Sequence, residues 1–167
     1  MIQLFYAPIF DKIRLLQKIK NVLEQLWGKR YLMVTSDMVS FNPPEADGYK
    51  FPGHNLHWDV SLKQPIPFGI QGLSYLSETE ENQGAFSPIP GFHHMMDQWL
   101  KDIHEHPRKV PLKDHFEVKS IAGKAGDLII RNHCLPHGSS PNLGSLPRIV
   151  QYINHLPLDL EYQEEWI

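Results

Sequence analysis

The chain has 167 residues, of which 41% are hydrophobic and 21% are charged, with a formal net charge of −3. This length favours a single domain over residues 1–167, and the composition excludes an intrinsically disordered chain. The sequence contains no dense basic run and no apolar run of membrane-spanning length, so we expect neither a nucleic-acid partner nor a membrane.

The predicted elements begin with an amphipathic helix over residues 11–27, in which apolar residues recur at helical spacing and which Gly28 ends. Residues 31–41 follow as one or two strands that are rich in β-branched and aromatic side chains. A loop over residues 42–53 then leads to a short strand, or the edge of one, at residues 54–60.

The second half of the chain is predicted to hold a strand at residues 68–76, a helix at 93–103, and strands at 116–121, 128–131 and 148–156. Fourteen prolines and eleven glycines favour short strands that are joined by turns. Many short strands with one or two packed helices predict a mainly β protein, either a sandwich or a barrel.

The sequence His57-Trp58-Asp59 is the first candidate metal-binding motif. Residues two apart on a strand share a face, so His57 and Asp59 could reach one point. A later histidine would complete a face of two histidines and one carboxylate, which leaves three metal positions open, as in non-haem iron(II) oxygenases. The motif alone is weak, because a surface histidine beside a solvated aspartate is the plain alternative, and His115-Phe116-Glu117 is a rival pair.

The segment from Gly126 to Arg148 supplies the remaining candidates. His137 is the candidate distal histidine. Arg148 follows it by eleven residues and can bind the far carboxylate of 2-oxoglutarate through two parallel hydrogen bonds, with Ser139 as a further donor. Arg131 is a second candidate for this cation, but it precedes His137 and lies on a different strand, so Arg148 is preferred.

Together, the HWD motif, the stretch ENQGAFSPIPGFHH, and GDLIIRNHCLPHGSSPN followed by Pro147-Arg148 resemble the phytanoyl-CoA dioxygenase family. Members show an HxD, a Pro-Gly-Ser-His-like segment, Gly-Asp before a hydrophobic strand, His-Gly-Ser, and an arginine eleven residues after the distal histidine. In this sequence, Pro90-Gly91-Phe92-His93 occupies the place of the Pro-Gly-Ser-His-like segment. The resemblance covers roughly residues 38–155.

The resemblance implies a double-stranded β-helix (a jelly-roll, cupin-like barrel) and a non-haem Fe(II)- and 2-oxoglutarate-dependent dioxygenase. Such an enzyme hydroxylates a small organic substrate, uses O₂, and has ascorbate as a candidate reductant. Related halogenating enzymes lack the ligand carboxylate, so Asp59 argues for hydroxylation. Carried over residue by residue, the resemblance gives the catalytic metal ligands His57, Asp59 and His137 and the cosubstrate contacts Arg148, Ser139 and Met38.

Two departures from the family pattern stand out. The chain carries less sequence than usual before its first predicted helix, so we expect a domain that is truncated at its N-terminus relative to the family. Gln71, Gly72 and Leu73 also occupy the neighbourhood where some members place a tryptophan beside the cosubstrate.

Two alternatives remain open: a catalytically inactive barrel that keeps the motif, and a cupin-like metal-binding barrel. The cupin-like barrel usually shows a glutamate shortly after two closely spaced histidines, and none follows His57. A zinc hydrolase is disfavoured, because the sequence has no HExxH motif.

The remaining histidines and the cysteine receive plainer interpretations. His54 is expected near the cleft, His93 and His94 in the first turn of a helix, and Cys134 as a small apolar residue. A single cysteine forms no intramolecular disulfide. The N-terminal sequence lacks the cationic region of a signal peptide, and the C-terminal EEWI is not a peroxisomal address, so the sequence predicts a cytoplasmic protein.

Overall fold

A computed structural model of the protein describes residues 7–51 and 53–160. The terminal residues on which the predicted localisation depends therefore lie largely outside the described part. The described elements are the helices α1 (Pro8–Arg14), α2 (Gln17–Trp27) and α3 (Phe92–Asp102), and the strands β1 (Met33–Val34), β2 (Val39–Asn42), β3 (Ile70–Tyr75), β4 (Phe86–Pro88), β5 (Leu128–Asn132), β6 (His137–Ser139), β7 (Arg148–Ile153) and β8 (His155–Leu156).

The described part of the chain has eight strands and three α-helices, which confirms the mainly β prediction, and every strand pair there is antiparallel. Four strands form one sheet in the order β2-β7-β3-β5, while β4 pairs with β6 and β1 pairs with β8. An apolar cluster of Leu73, Tyr75, Phe86 and Val150 joins the four-stranded sheet to β4. The Tyr75 hydroxyl donates to the carbonyl of Ile121 at 2.7 Å and accepts from the amide of Phe86 at 2.9 Å, so this buried tyrosine has its polar group satisfied.

The single helix predicted over residues 11–27 is wrong, because the structure has two helices there. The carbonyl of Arg14 accepts a hydrogen bond from Nε2 of His155 at 2.9 Å, which ties the end of α1 to β8. Leu16 is extended (ψ 127°) and half exposed, so it is not the core residue that the spacing predicts. The predicted end at Gly28 is confirmed: this residue is left-handed (φ 64°), and its amide and that of Lys29 bond the last free carbonyls of α2.

The helix α3 supplies the second core. Phe92, Met96 and Trp99 are buried on one face of the helix, at positions that recur every three or four residues, and pack against Trp58 and Leu112. The Trp58 ring lies 5.9 Å from Phe92 and 5.7 Å from Trp99, measured between ring centroids. Thus α3 covers the back of the segment that carries the HxD motif. None of the helices in the described part of the chain is long and apolar enough to cross a membrane.

Two further strand predictions need correction. Residues 116–121 form no regular strand: only Ile121 bridges to Phe86, while Phe116 turns its ring onto Phe92 at 5.1 Å. No strand is predicted between residues 131 and 148, yet β6 lies there, and its three residues pair with β4. Contacts with residues far away in the sequence decide both outcomes: the ring of Phe92 in the first case and β4 in the second. Local composition does not show such contacts.

We expect Phe92→Ala to lower the free energy of unfolding by about 3–5 kcal/mol, because it opens a cavity in a fully buried aromatic cluster. Met95→Ala is the matched control, since Met95 lies on the exposed face of the same helix (43% exposed) and its truncation should cost less than about 1 kcal/mol. Urea denaturation measures both values, and equal losses would contradict the assigned face.

Candidate metal centre

His57 and His137 face each other across an antiparallel backbone bridge. The amide of each residue donates to the carbonyl of the other, at 2.9 and 3.0 Å. Directly opposed residues of such a pair project to the same face, and the two imidazole centroids lie 4.5 Å apart. The backbone therefore brings together the first and the distal histidine that the sequence predicts.

Trp58 fixes which way its two neighbours point. Its ring is buried in the core beneath α3 (4% exposed), and its Nε1 donates to the carbonyl of Cys134 at 3.0 Å. Successive side chains of extended backbone alternate, so His57 and Asp59 point to the opposite side. The predicted geometry of the HxD motif is present, although only His57 makes a bridge and Asp59 lies in a bend.

The three side chains converge on one point. Asp59 Oδ1 lies 3.4 Å from His57 Nε2, and Asp59 Oδ2 lies 3.3 Å from His137 Nε2. The Nδ1 atoms of the two histidines lie 2.9 and 3.1 Å from the carbonyls of Asn55 and Leu135. Because a carbonyl only accepts, each Nδ1 carries a proton, and each Nε2 is the ring nitrogen that faces the shared point.

The electrostatics of the site favour the metal-binding protonation state at two of the three residues, Asp59 and His137. Burial alone would raise the pKa of Asp59, but its contacts with His137 and His57 and the charge of Arg131 outweigh this and hold the pKa well below its usual range. Burial lowers the pKa of the His137 imidazole, which keeps the ring neutral. The contact with Asp59 raises the pKa of His57, so metal binding would displace a proton there.

These residues fit a divalent metal ion. One ligand atom from each of His57, Asp59 and His137 lies within 4.8 Å of the others, and no other group of three such residues in the described part of the chain meets this condition. Two imidazoles and one carboxylate suit a six-coordinate ion with three open positions better than a closed four-ligand zinc site. The rival pair His115 and Glu117 is exposed and belongs to no such group among the described residues.

A cavity of about 570 Å³ lies beside the three side chains. Arg148 lines it and is nearly fully buried (3% exposed). Its Nε donates to the carbonyl of Gly84 at 2.6 Å, and its guanidinium also donates to the hydroxyls of Ser40 and Ser139. The structure therefore brings the two predicted cosubstrate residues, Arg148 and Ser139, into direct contact in the same cavity.

The other residues named from the sequence divide into two groups. Met38, His54, Gln71 and Leu73 line the cavity. The buried Oε1 of Gln71 has no hydrogen-bond partner within the described residues.

His93 and His94 lie in the first turn of α3, outside the lining of the cavity, with ring centroids 3.8 Å apart. Cys134 is half buried, with its pKa raised to about 11 by burial, so it is an unreactive thiol.

Arg131, the second candidate for the cosubstrate cation, contacts two of the candidate metal ligands, which the sequence did not predict. It extends from β5 into the cavity, where its Nη2 atom lies 2.7 Å from Asp59 Oδ2 and 2.9 Å from His137 Nε2. The sequence did hold a signal for this position. An arginine inside an apolar strand, two residues after the cavity-lining Ile129, has to point the same way.

Gly138 permits the close approach on which the site depends. A Cβ at this position would lie 1.6 Å from the carbonyl oxygen of His54, whose segment passes directly behind β6. The amide of Ser139 donates to that same carbonyl at 3.2 Å. Any side chain at residue 138 would therefore separate the two segments that carry the histidines.

We expect Gly138→Ala to lower the free energy of unfolding by about 3 kcal/mol or more, because backbone must move to admit the new methyl group. Gly144→Ala is the control, since its Cβ would meet only side-chain atoms of Gln83 and Asn142, at 3.2 and 3.3 Å. Urea denaturation of both variants is the measurement. A loss at residue 138 no larger than that at residue 144 would contradict the packing described here.

Comparison with known proteins places the chain in a family. The sequence matches the family described as Phytanoyl-CoA dioxygenase (PhyH) over residues 1–150. A Dictyostelium discoideum protein named "Putative phytanoyl-CoA dioxygenase" is 28% identical over 195 aligned positions, which cover 90% of this chain and 55% of that protein. The chain thus spans about half the length of this curated relative.

Two solved structures show the same fold. HygX from Streptomyces hygroscopicus, crystallised with nickel, 2-oxoglutarate and hygromycin B, is 15% identical with a TM-score of 0.67, covering 93% of this chain and 68% of its own. The epimerase SnoN, in complex with Fe³⁺, alpha ketoglutarate and nogalamycin RO, is 16% identical with a TM-score of 0.65, covering 92% and 63%. The fold is the predicted double-stranded β-helix, and the chain belongs to the phytanoyl-CoA dioxygenase family.

Proposed function

We propose that the protein is a non-haem Fe(II)- and 2-oxoglutarate-dependent dioxygenase that hydroxylates a small organic substrate. The reaction consumes 2-oxoglutarate, O₂ and a substrate C–H bond, and it yields succinate, CO₂ and the hydroxylated product. The observation that carries this proposal is the convergence of His57, Asp59 and His137 beside a cavity that contains the buried Arg148.

Each ligand residue has a distinct part in this proposal. His57 Nε2, His137 Nε2 and one oxygen of Asp59 would hold the ion, and all three residues line the cavity. The carbonyls of Asn55 and Leu135 keep the two rings in the orientation that binds metal. When bound, the iron supplies the O₂ chemistry that couples decarboxylation of the 2-oxo acid to oxidation of the substrate.

Arg148 and Ser139 bind the distal carboxylate of 2-oxoglutarate in this proposal, with Met38 as a further neighbour. The guanidinium is held from behind by the carbonyl of Gly84, so it is positioned before the ligand arrives. A cavity of about 570 Å³ is within the range of small-molecule sites. The related structures contain hygromycin B and nogalamycin RO, which supports a small organic molecule as the substrate class.

The test is reconstitution without oxygen. Fe(II) and 2-oxoglutarate are added to the protein, the visible charge-transfer band of a chelated 2-oxo acid is recorded, and succinate is measured after O₂ is admitted. We expect a band in the wild type and slow succinate release. Asp59→Ala should lose iron binding, because it removes the only anionic ligand of the set.

Arg148→Ala should retain iron and weaken 2-oxoglutarate binding by about 10- to 100-fold, since it removes charge-assisted hydrogen bonds to a carboxylate. Asp47→Ala and Arg30→Ala are the matched controls, because both residues are exposed and neither lines the cavity.

Three results would count against parts of the proposal. Bound iron without the band identifies a catalytically inactive or cupin-like metal-binding barrel. Absence of iron binding shows that the three ligands are wrongly assigned. A band that persists in Arg148→Ala at unchanged 2-oxoglutarate affinity removes that arginine from the cosubstrate site.

A further inference from the structure

Arg131 places a second buried guanidinium in the cavity that Arg148 lines. It is 8% exposed, and its Nη2 contacts both Asp59 Oδ2 and His137 Nε2, which are two of the three ligand atoms. Its Nη1 is fully buried and has no hydrogen-bond partner within the described residues. The ring of Phe86 lies 6.0 Å from its Cζ atom and covers the group.

A structural role for Arg131 leaves this arrangement unexplained. An arginine that served only to neutralise Asp59 would need one donor, yet here a second charged N–H is buried without an acceptor, which costs free energy. A divalent ion at the three ligands would also add two positive charges next to Arg131, against the single negative charge of Asp59. An anion that touches both the ion and the guanidinium would satisfy the free donor and offset the repulsion.

The strand β6 relates the two arginines to each other. Arg131 contacts His137, and Arg148 contacts Ser139, two residues further along the same strand. Alternate residues of a strand share a face and lie about 6–7 Å apart. The two arginines therefore contact neighbouring side chains on one face of β6, one beside the candidate metal ligands and the other beside Ser139.

We propose that Arg131 binds the carboxylate at the metal-chelating end of the 2-oxo acid, while Arg148 binds the opposite end. This inference rests on the proposed function and adds to it that a cation stands at each end of the cosubstrate.

The experiment uses two ligands to distinguish the chelating end of the cosubstrate site from its distal end. Nickel is loaded in place of iron, so that no turnover occurs, and binding of 2-oxoglutarate and of oxalate is measured by calorimetry. Oxalate chelates a metal through carboxylates but has no distal group that could reach Arg148. The variants are Arg131→Gln and Arg148→Gln, with Arg30→Gln as an exposed control.

We expect Arg131→Gln to weaken binding of both ligands by about tenfold or more, and Arg148→Gln to weaken only 2-oxoglutarate by a similar factor. Nickel affinity of Arg131→Gln should not fall, because a competing cation has been removed. Arg131→Lys keeps the charge but not the two-pronged geometry, so oxalate binding should be intermediate; it also serves if the glutamine variant does not fold.

Oxalate affinity that stays within about twofold of the wild type in both Arg131 variants would overturn the inference. So would a large loss of nickel affinity, which would show that Arg131 only supports the ligands. Failure of the proposed function has a different signature. In that case the wild-type protein would bind nickel, and it would bind oxalate in a way that depends on Arg131, but it would not bind 2-oxoglutarate. This result would support the anion site at Arg131 and exclude 2-oxoglutarate as the cosubstrate.

Discussion

The backbone bridge between His57 and His137 is the contact on which the rest of the site depends. It joins two segments that are far apart in the sequence, and each segment is held in place by a separate contact. Trp58 anchors the first segment in the core beneath α3, and Gly138 lets the second approach the carbonyl of His54. The two imidazoles lie side by side because their backbones are paired. Asp59 points to the same side because successive side chains of extended backbone alternate in direction.

Local rules of the sequence were sufficient for the geometry of the HxD motif and for the end of α2. The alternation of His57 and Asp59 around a buried tryptophan and the stop of α2 at Gly28 are both properties of a few adjacent residues, and both are present. The strand at residues 116–121 and the continuous first helix were wrong for a common reason. Each depended on a partner elsewhere: the side chain of Phe92 in one case and the His155 imidazole in the other. A single sequence does not display such partners.

The rank of Arg131 shows a different limit of sequence reasoning. Order along the chain and strand membership separate Arg131 from His137, yet the sheet places β5 so that its arginine reaches the ligand atoms. A charged residue within Leu128–Asn132 was the available clue, because burial of a charge in an apolar strand requires a partner or a ligand. The fact that residue 131 is an arginine was therefore a better guide to its place in the site than its position in the sequence relative to His137.

The exposure of the three ligands differs in a way that bears on stability. His57 and Asp59 lie at the rim, with 49% and 44% of their side-chain surface exposed, whereas His137 is 8% exposed. An ion held there would cross-link the rim segment to β6, in parallel with the two backbone hydrogen bonds. By mass action, an ion present at a hundred times its dissociation constant would add about 2.7 kcal/mol to the free energy of unfolding. The metal would thus act as a reversible cross-link between two distant parts of the chain, and the metal-free protein would have the lower free energy of unfolding.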